Sequence, residues 1–144
     1  MHKICIFGSR LACTQNTKAF KLLPRLLVEA SKAAVPRHLL PVSIGPEVSL
    51  HDAKAIIKSK EIVIAVYDGF AGEDFQCLLT IAANEGKRII ILKSIGLLPE
   101  NLSDLSTLGA RITVEEFDIF RLEELPALVA KSINITKYIG QNGG

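Results

Sequence analysis

Two short polar clusters hold the residues of this chain best suited to chemistry. The first is Gly8-Ser9-Arg10, in the stretch "KICIFGSRLACTQN" over residues 3–16, where an apolar run stops abruptly. Gly8 allows a ligand close to the backbone, Ser9 offers a hydroxyl, and Arg10 offers a planar fork matched to phosphate or carboxylate. A helix after this turn points its positive N-terminus into the same space, which favours an anion. The plainer reading makes Gly8 a turn residue, Asn16 an N-cap and Arg10 a solvated charge. Neither a G-x-G-x-x-G fingerprint nor a P-loop lysine accompanies the cluster.

The second cluster is "YDGFAGED", residues 67–74, which supplies Asp68, Gly69, Gly72, Glu73 and Asp74. Acids at a helix start are commonly caps favoured by the helix dipole, and that reading suits Glu73 and Asp74. Asp68 differs, because it ends the strongest strand signal in the chain. There it could accept ribose hydroxyls or act as a general base. Ser43 and Gly45 follow another strand-like run and could border the same pocket, with Gly45-Pro46 as a simple turn otherwise. His51 reads as a solvent-facing residue in a helix's first turn, Cys77 as a small core residue, and His38 carries no pattern.

The elements around these clusters alternate between strand and helix. "KICIF" (3–7) is a short apolar strand, and residues 17–34 place Phe20, Leu23, Leu26, Leu27, Ala30 and Ala33 or Ala34 on one helical face. Pro24 should sit in an early turn of that helix or kink it. "RHLLPVSI" (37–44) reads as a strand, placed at a sheet edge because Pro41 cannot donate to a central ladder. Ser49-Leu50-His51-Asp52 opens a helix through Lys58, and "EIVIAVY" (61–67) is a central strand. A helix over 73–85 closed by Gly86, the strand "KRIIILK" (87–93), a short helix within 99–109 and the strand "RITVEEF" (111–117) follow. A last helix runs from Arg121 to Ile135, with Leu122, Leu125, Leu128 or Val129 and Ile133 inward, and 140–144 is a tail.

This rhythm predicts a single α/β domain over 1–139, a Rossmann-like or flavodoxin-like three-layer sandwich on a five-stranded parallel sheet. An edge-like second strand fits the order 2-1-3-4-5, with the topological switch point between strands 1 and 3. Ligands in such sheets bind outside the carboxyl ends of the strands at that crevice, which is where both clusters fall.

Composition narrows the class. The chain has 144 residues, 49% of them hydrophobic, which supports a core without disulfide staples. Seventeen basic and fifteen acidic residues give +2 without a basic stripe, so no broad nucleic-acid surface is expected. Three cysteines without a C-x-x-C pair read as reduced thiols, not as a disulfide framework or a zinc site, and no cofactor motif is present. No apolar run reaches the length of a membrane span, and the N-terminal run is too short for a signal peptide, so a soluble cytoplasmic protein is expected.

"ICIFGSR" and the later "KSKEIVIAVYDGFAGEDFQCLLTIAANEGKRIIIL" resemble the Rossmann-like group of the nucleoside 2-deoxyribosyltransferases and SLOG nucleotide-binding proteins. Gly8-Ser9-Arg10 matches the family's first strand end, Ile62 to Gly69 its later strand with Asp-Gly, and Ala82 with Gly86-Lys87 its helix exit. The likeness covers about a third of the chain. The deoxyribosyltransferases carry a nucleophilic Glu eight residues before the Gly-Lys exit, which falls here on Leu78; the PGGxGTxxE motif of the SLOG enzymes is absent. The resemblance therefore implies a nucleotide or nucleoside-phosphate ligand. Gly8, Ser9 and Arg10 would hold phosphate and Asp68 ribose, with Asn16, Ser43, Gly69 and Gly72 around them. The alternatives are an N-glycosidase or deoxyribosyltransferase in which Glu73 or Asp74 serves as a displaced acid, and an interaction module without ligand. Relatives of this kind commonly assemble through helices flanking the sheet, so a homo-oligomer is expected.

Overall fold

A computed structural model describes residues 3–8, 18–30, 39–45, 47–67, 73–94, 111–118 and 120–132. Five strands form one sheet: β1 (Ile4–Gly8), β2 (Val42–Ile44), β3 (Ile62–Tyr67), β4 (Arg88–Ser94) and β5 (Arg111–Phe117). Their order is β2-β1-β3-β4-β5, and every neighbouring pair is parallel. The expected order and class hold. β-branched and other apolar residues fill β1, β3 and β4 because both sheet faces are covered, leaving no polar side to alternate with. All six residues of β3 are buried.

Helices α1 (Lys18–Ala30), α2 (Leu50–Lys58) and α3 (Glu73–Asn84) connect the strands. A single 3₁₀ turn (Leu122–Glu124) leads into α4, helical over 125–132. The side-chain alternation of the strands divides the core into two layers. On one face Phe20, Leu23 and Leu27 of α1, with Leu125 and Val129 of α4, pack on Ile4, Ile6, Ile62, Ile64 and Val66. On the other, Ala53 and Ile57 of α2, with Phe75, Leu78, Leu79 and Ala82 of α3, pack on Cys5, Phe7, Val63, Ala65 and Tyr67. The spacing of Phe75, Leu78, Leu79 and Ala82 is the i, i+3, i+4, i+7 stripe of a helix buried on one side.

Local signals set several boundaries. The Ser49 hydroxyl accepts the Asp52 N–H at 3.1 Å, capping α2 as its sequence pattern requires. Gly86 adopts φ 69° after α3, a left-handed conformation that releases the chain into β4. One expectation needs correction. The second strand is not 37–44 but three residues, because Leu39 and Leu40 lie in a short 3₁₀ and bend segment and Pro41 precedes the strand. A proline lacks the N–H that would extend the ladder. Pro24 lies inside the 13-residue α1, where its ring nitrogen cannot donate to the Phe20 carbonyl. The expected helix within 99–109, the ends of the first and last helices, and the 140–144 tail lie outside the described residues.

Candidate functional site

The sheet changes direction between β1 and β3. From β1 the chain passes through α1 on one face to edge strand β2; from β3 it passes through α3 on the opposite face to β4. Helices that leave adjacent strands on opposite faces open a crevice at the carboxyl ends of those strands. Gly8 closes β1 there, half-buried and in register with Val66, and Tyr67 extends β3 one residue further.

Aromatic packing positions the α3 side of this crevice. Phe75, in the first turn of α3, meets Phe7 edge-on with ring centroids 5.6 Å apart at 71°, and it meets Tyr67 at 6.1 Å and 42°. Phe7 and Tyr67 stand at the carboxyl ends of β1 and β3, so the three rings fix the start of α3 over the crevice. Such ring pairs add about 0.5–1.5 kcal/mol beyond the area they bury. The contact places Glu73 and Asp74, both exposed, at the same end of the sheet as Gly8. Neither carboxylate has a described ion-pair partner on a neighbouring element, as helix-start acids require none.

Ser43 lies on β2 in register with Ile6, one strand from β1, and is exposed. Gly45 follows β2, and its carbonyl accepts the Val48 N–H at 3.2 Å, so it opens a turn. His51 is exposed in the first turn of α2. Ser9, Arg10, Asn16, Asp68, Gly69 and Gly72 lie outside the described residues. Of the two polar clusters, the structure thus locates Gly8, Glu73 and Asp74 around one crevice. Leu78, the position matching the nucleophile of the resembled family, is a core residue packed beneath α3. Cys77 is half-buried and stands outside the core clusters, whereas Cys5 is buried in β1.

One charged residue at this end of the sheet was not singled out from the sequence. Lys93 closes the apolar part of β4 in register with Tyr67, on the face covered by α2 and α3, and is only 8% exposed. Its Nζ is 3.1 Å from Glu116 Oε1 of β5, the residue opposite it in register. Its only sequence signal is phase: Lys93 continues the alternation of Ile89 and Ile91, so it shares their inward face. No group of three or more His, Cys, Asp or Glu side chains arranged for a metal occurs among the described residues. No described helix is long and apolar enough to cross a membrane.

No protein-family model matches the chain, and no curated protein matches it in sequence. Among solved structures, the CMP N-glycosidase BcmB of Clostridium botulinum is similar with a TM-score of 0.59 and 16% identity. The match covers 88% of this chain and 98% of BcmB. CapF, solved with the inhibitor 3-isopropenyl-tropolone, matches with a TM-score of 0.49 and 10% identity over 79% of this chain and 30% of CapF. The likeness to BcmB extends over nearly the whole of both chains, and at this identity it establishes the shared fold.

Proposed function

We propose that this protein binds a nucleotide or nucleoside phosphate in the crevice at the carboxyl ends of β1 and β3. The observation that carries the reading is the switch point itself, with Gly8 on one lip and the aromatic-anchored start of α3 on the other. In this reading the backbone at Gly8 and Ser9, with the Arg10 fork, holds phosphate. Asp68 accepts ribose hydroxyls, while Asn16, Ser43, Gly69 and Gly72 border the pocket. That BcmB, of the same fold, acts on CMP supports a ligand of this class.

The same neighbour favours a second reading, cleavage of an N-glycosidic bond. It requires an acid other than the residue at position 78, because Leu78 is buried in the core and has no proton to transfer. Glu73 and Asp74, in the first turn of α3, are two acids at that end of the sheet. The first experiment is a thermal-shift screen with nucleosides and their 5′-monophosphates. A ligand present at one hundred times its Kd stabilises the fold by about 2.7 kcal/mol. Stabilisation by a monophosphate without release of free base supports binding alone. Base release adds the hydrolase, and a flat screen across the whole panel leaves an interaction module without ligand.

A further inference from the structure

Lys93 is held in an unusual way for a residue of an inner strand. Ile89 and Ile91, which share its face of β4, show what packing alone requires there. Taking an ammonium out of water is unfavourable by several kcal/mol, so a lysine at this position is not explained by packing. The pair is also asymmetric. The Lys93 side chain is 10% exposed and the Glu116 side chain 53% exposed. Glu116 can therefore swing into water at small loss while Lys93 cannot follow it. An anion arriving from solvent can replace Glu116 with no change in the charge balance around the ammonium. Lys93 stands in register with Tyr67, on the strand next to β3.

We propose that Lys93 is a second phosphate-binding cation of this site, beside Arg10: it receives an anionic phosphate oxygen of the ligand in exchange for the Glu116 carboxylate. The phosphate's being part of a nucleotide rests on the function proposed above; the exchange at Lys93 rests on the geometry of the pair. Glu73 and Asp74 at the same end of the sheet repel an anion, so the Lys93 charge adds to that of Arg10 in favouring a phosphorylated ligand over a neutral one. Lys93 acts as a binding group and transfers no proton or bond.

The test uses the full chain and measures melting temperature against inorganic phosphate at constant ionic strength. The wild type should show saturable stabilisation. Lys93→Met should weaken phosphate binding by about tenfold or more, the worth of a hydrogen bond between charged groups, and Lys93→Arg should retain it. Glu116→Gln, which removes the competing anion, should tighten binding roughly three- to fivefold, the worth of a half-exposed ion pair. A wild type insensitive to phosphate, or Lys93→Met binding phosphate as well as the wild type, overturns the proposal. If Lys93→Met does not fold, Glu116→Gln decides, and unchanged phosphate affinity there overturns it as well. A second titration compares nucleosides with their 5′-monophosphates. Phosphate binding that depends on Lys93 without any nucleotide binding keeps the cation site and rejects the nucleotide reading. Nucleotide binding in which Lys93→Met keeps the full preference for the monophosphate keeps the nucleotide reading and rejects Lys93.

Discussion

Glu73 and Asp74 are neighbouring carboxylates in one helical turn, and their surroundings separate chemistry from capping. Both are exposed, and the Phe75 ring beside them buries apolar surface without drawing either acid inward. As caps they tolerate near-isosteric change: Glu73→Gln and Asp74→Asn should each alter stability by less than about 0.5 kcal/mol in a thermal melt. Base release by the wild type that vanishes in either variant, at unchanged melting temperature, would make that residue catalytic. Cys5 supplies a pH dependence. Burial is the main cause that pushes its thiol up from 9.0 to about 12, against smaller opposing effects of Lys60, a backbone hydrogen bond and Lys87. The folded protein keeps the proton where the unfolded chain loses it. The associated stability is therefore complete below pH 9 and declines as pH rises from 9 toward 12, by about 1.4 kcal/mol per unit. Cys5→Ala should remove that part of the alkaline slope in denaturant melts; identical slopes in the two proteins would exclude Cys5 as its source.

At the scale of elements, α2 and α3 depend on different contacts. The start of α2 rests on one hydroxyl, so Ser49→Ala should lower stability by about 1 kcal/mol, with Ser49→Asp near neutral. The start of α3 rests on the ring contacts of Phe75 with Phe7 and Tyr67. Phe75→Ala should destabilise by about 3–5 kcal/mol through the cavity it leaves. Phe75→Leu keeps most of the apolar volume but loses the ring geometry, so it should fold and still weaken any ligand held by the start of α3. Chemical denaturation of both variants, with ligand titration of Phe75→Leu, tests this. Ligand affinity in Phe75→Leu equal to that of the wild type would separate the aromatic trio from the site.

At the scale of the molecule, a parallel sheet covered by helices on both faces leaves the outer helix surfaces as the route to assembly. A homodimer or larger homo-oligomer through these helices is the expected state, since isologous contacts need only one self-complementary patch. Light scattering at tens of micromolar, about the range in which weak dimers persist, should give at least twice the chain mass. A clean monomer there would reject the dimer. Edge strand β5 offers a second surface, and its tandem Glu115 and Glu116 disfavour edge-to-edge pairing of two copies.

Much of the architecture follows from local sequence. "EIVIAVY" and "KRIIILK" become β3 and β4 because short β-branched runs between helices have no stable home except a doubly covered parallel sheet. Ser49 and Gly86 mark helix ends because a cap hydroxyl and a left-handed φ are needs met within a few residues. The order of the strands and the lips of the crevice follow from crossover handedness and from Pro41 beside β2. Three features belong to the tertiary structure alone. Leu78 sits in the core because the α3 stripe is fixed by where Phe75 docks between Phe7 and Tyr67. The second strand stops at three residues because only those pair with β1. Lys93 faces Glu116 because the register of β4 and β5 sets them opposite, and that pairing is a relation between distant segments that the alternation of β4 alone does not encode.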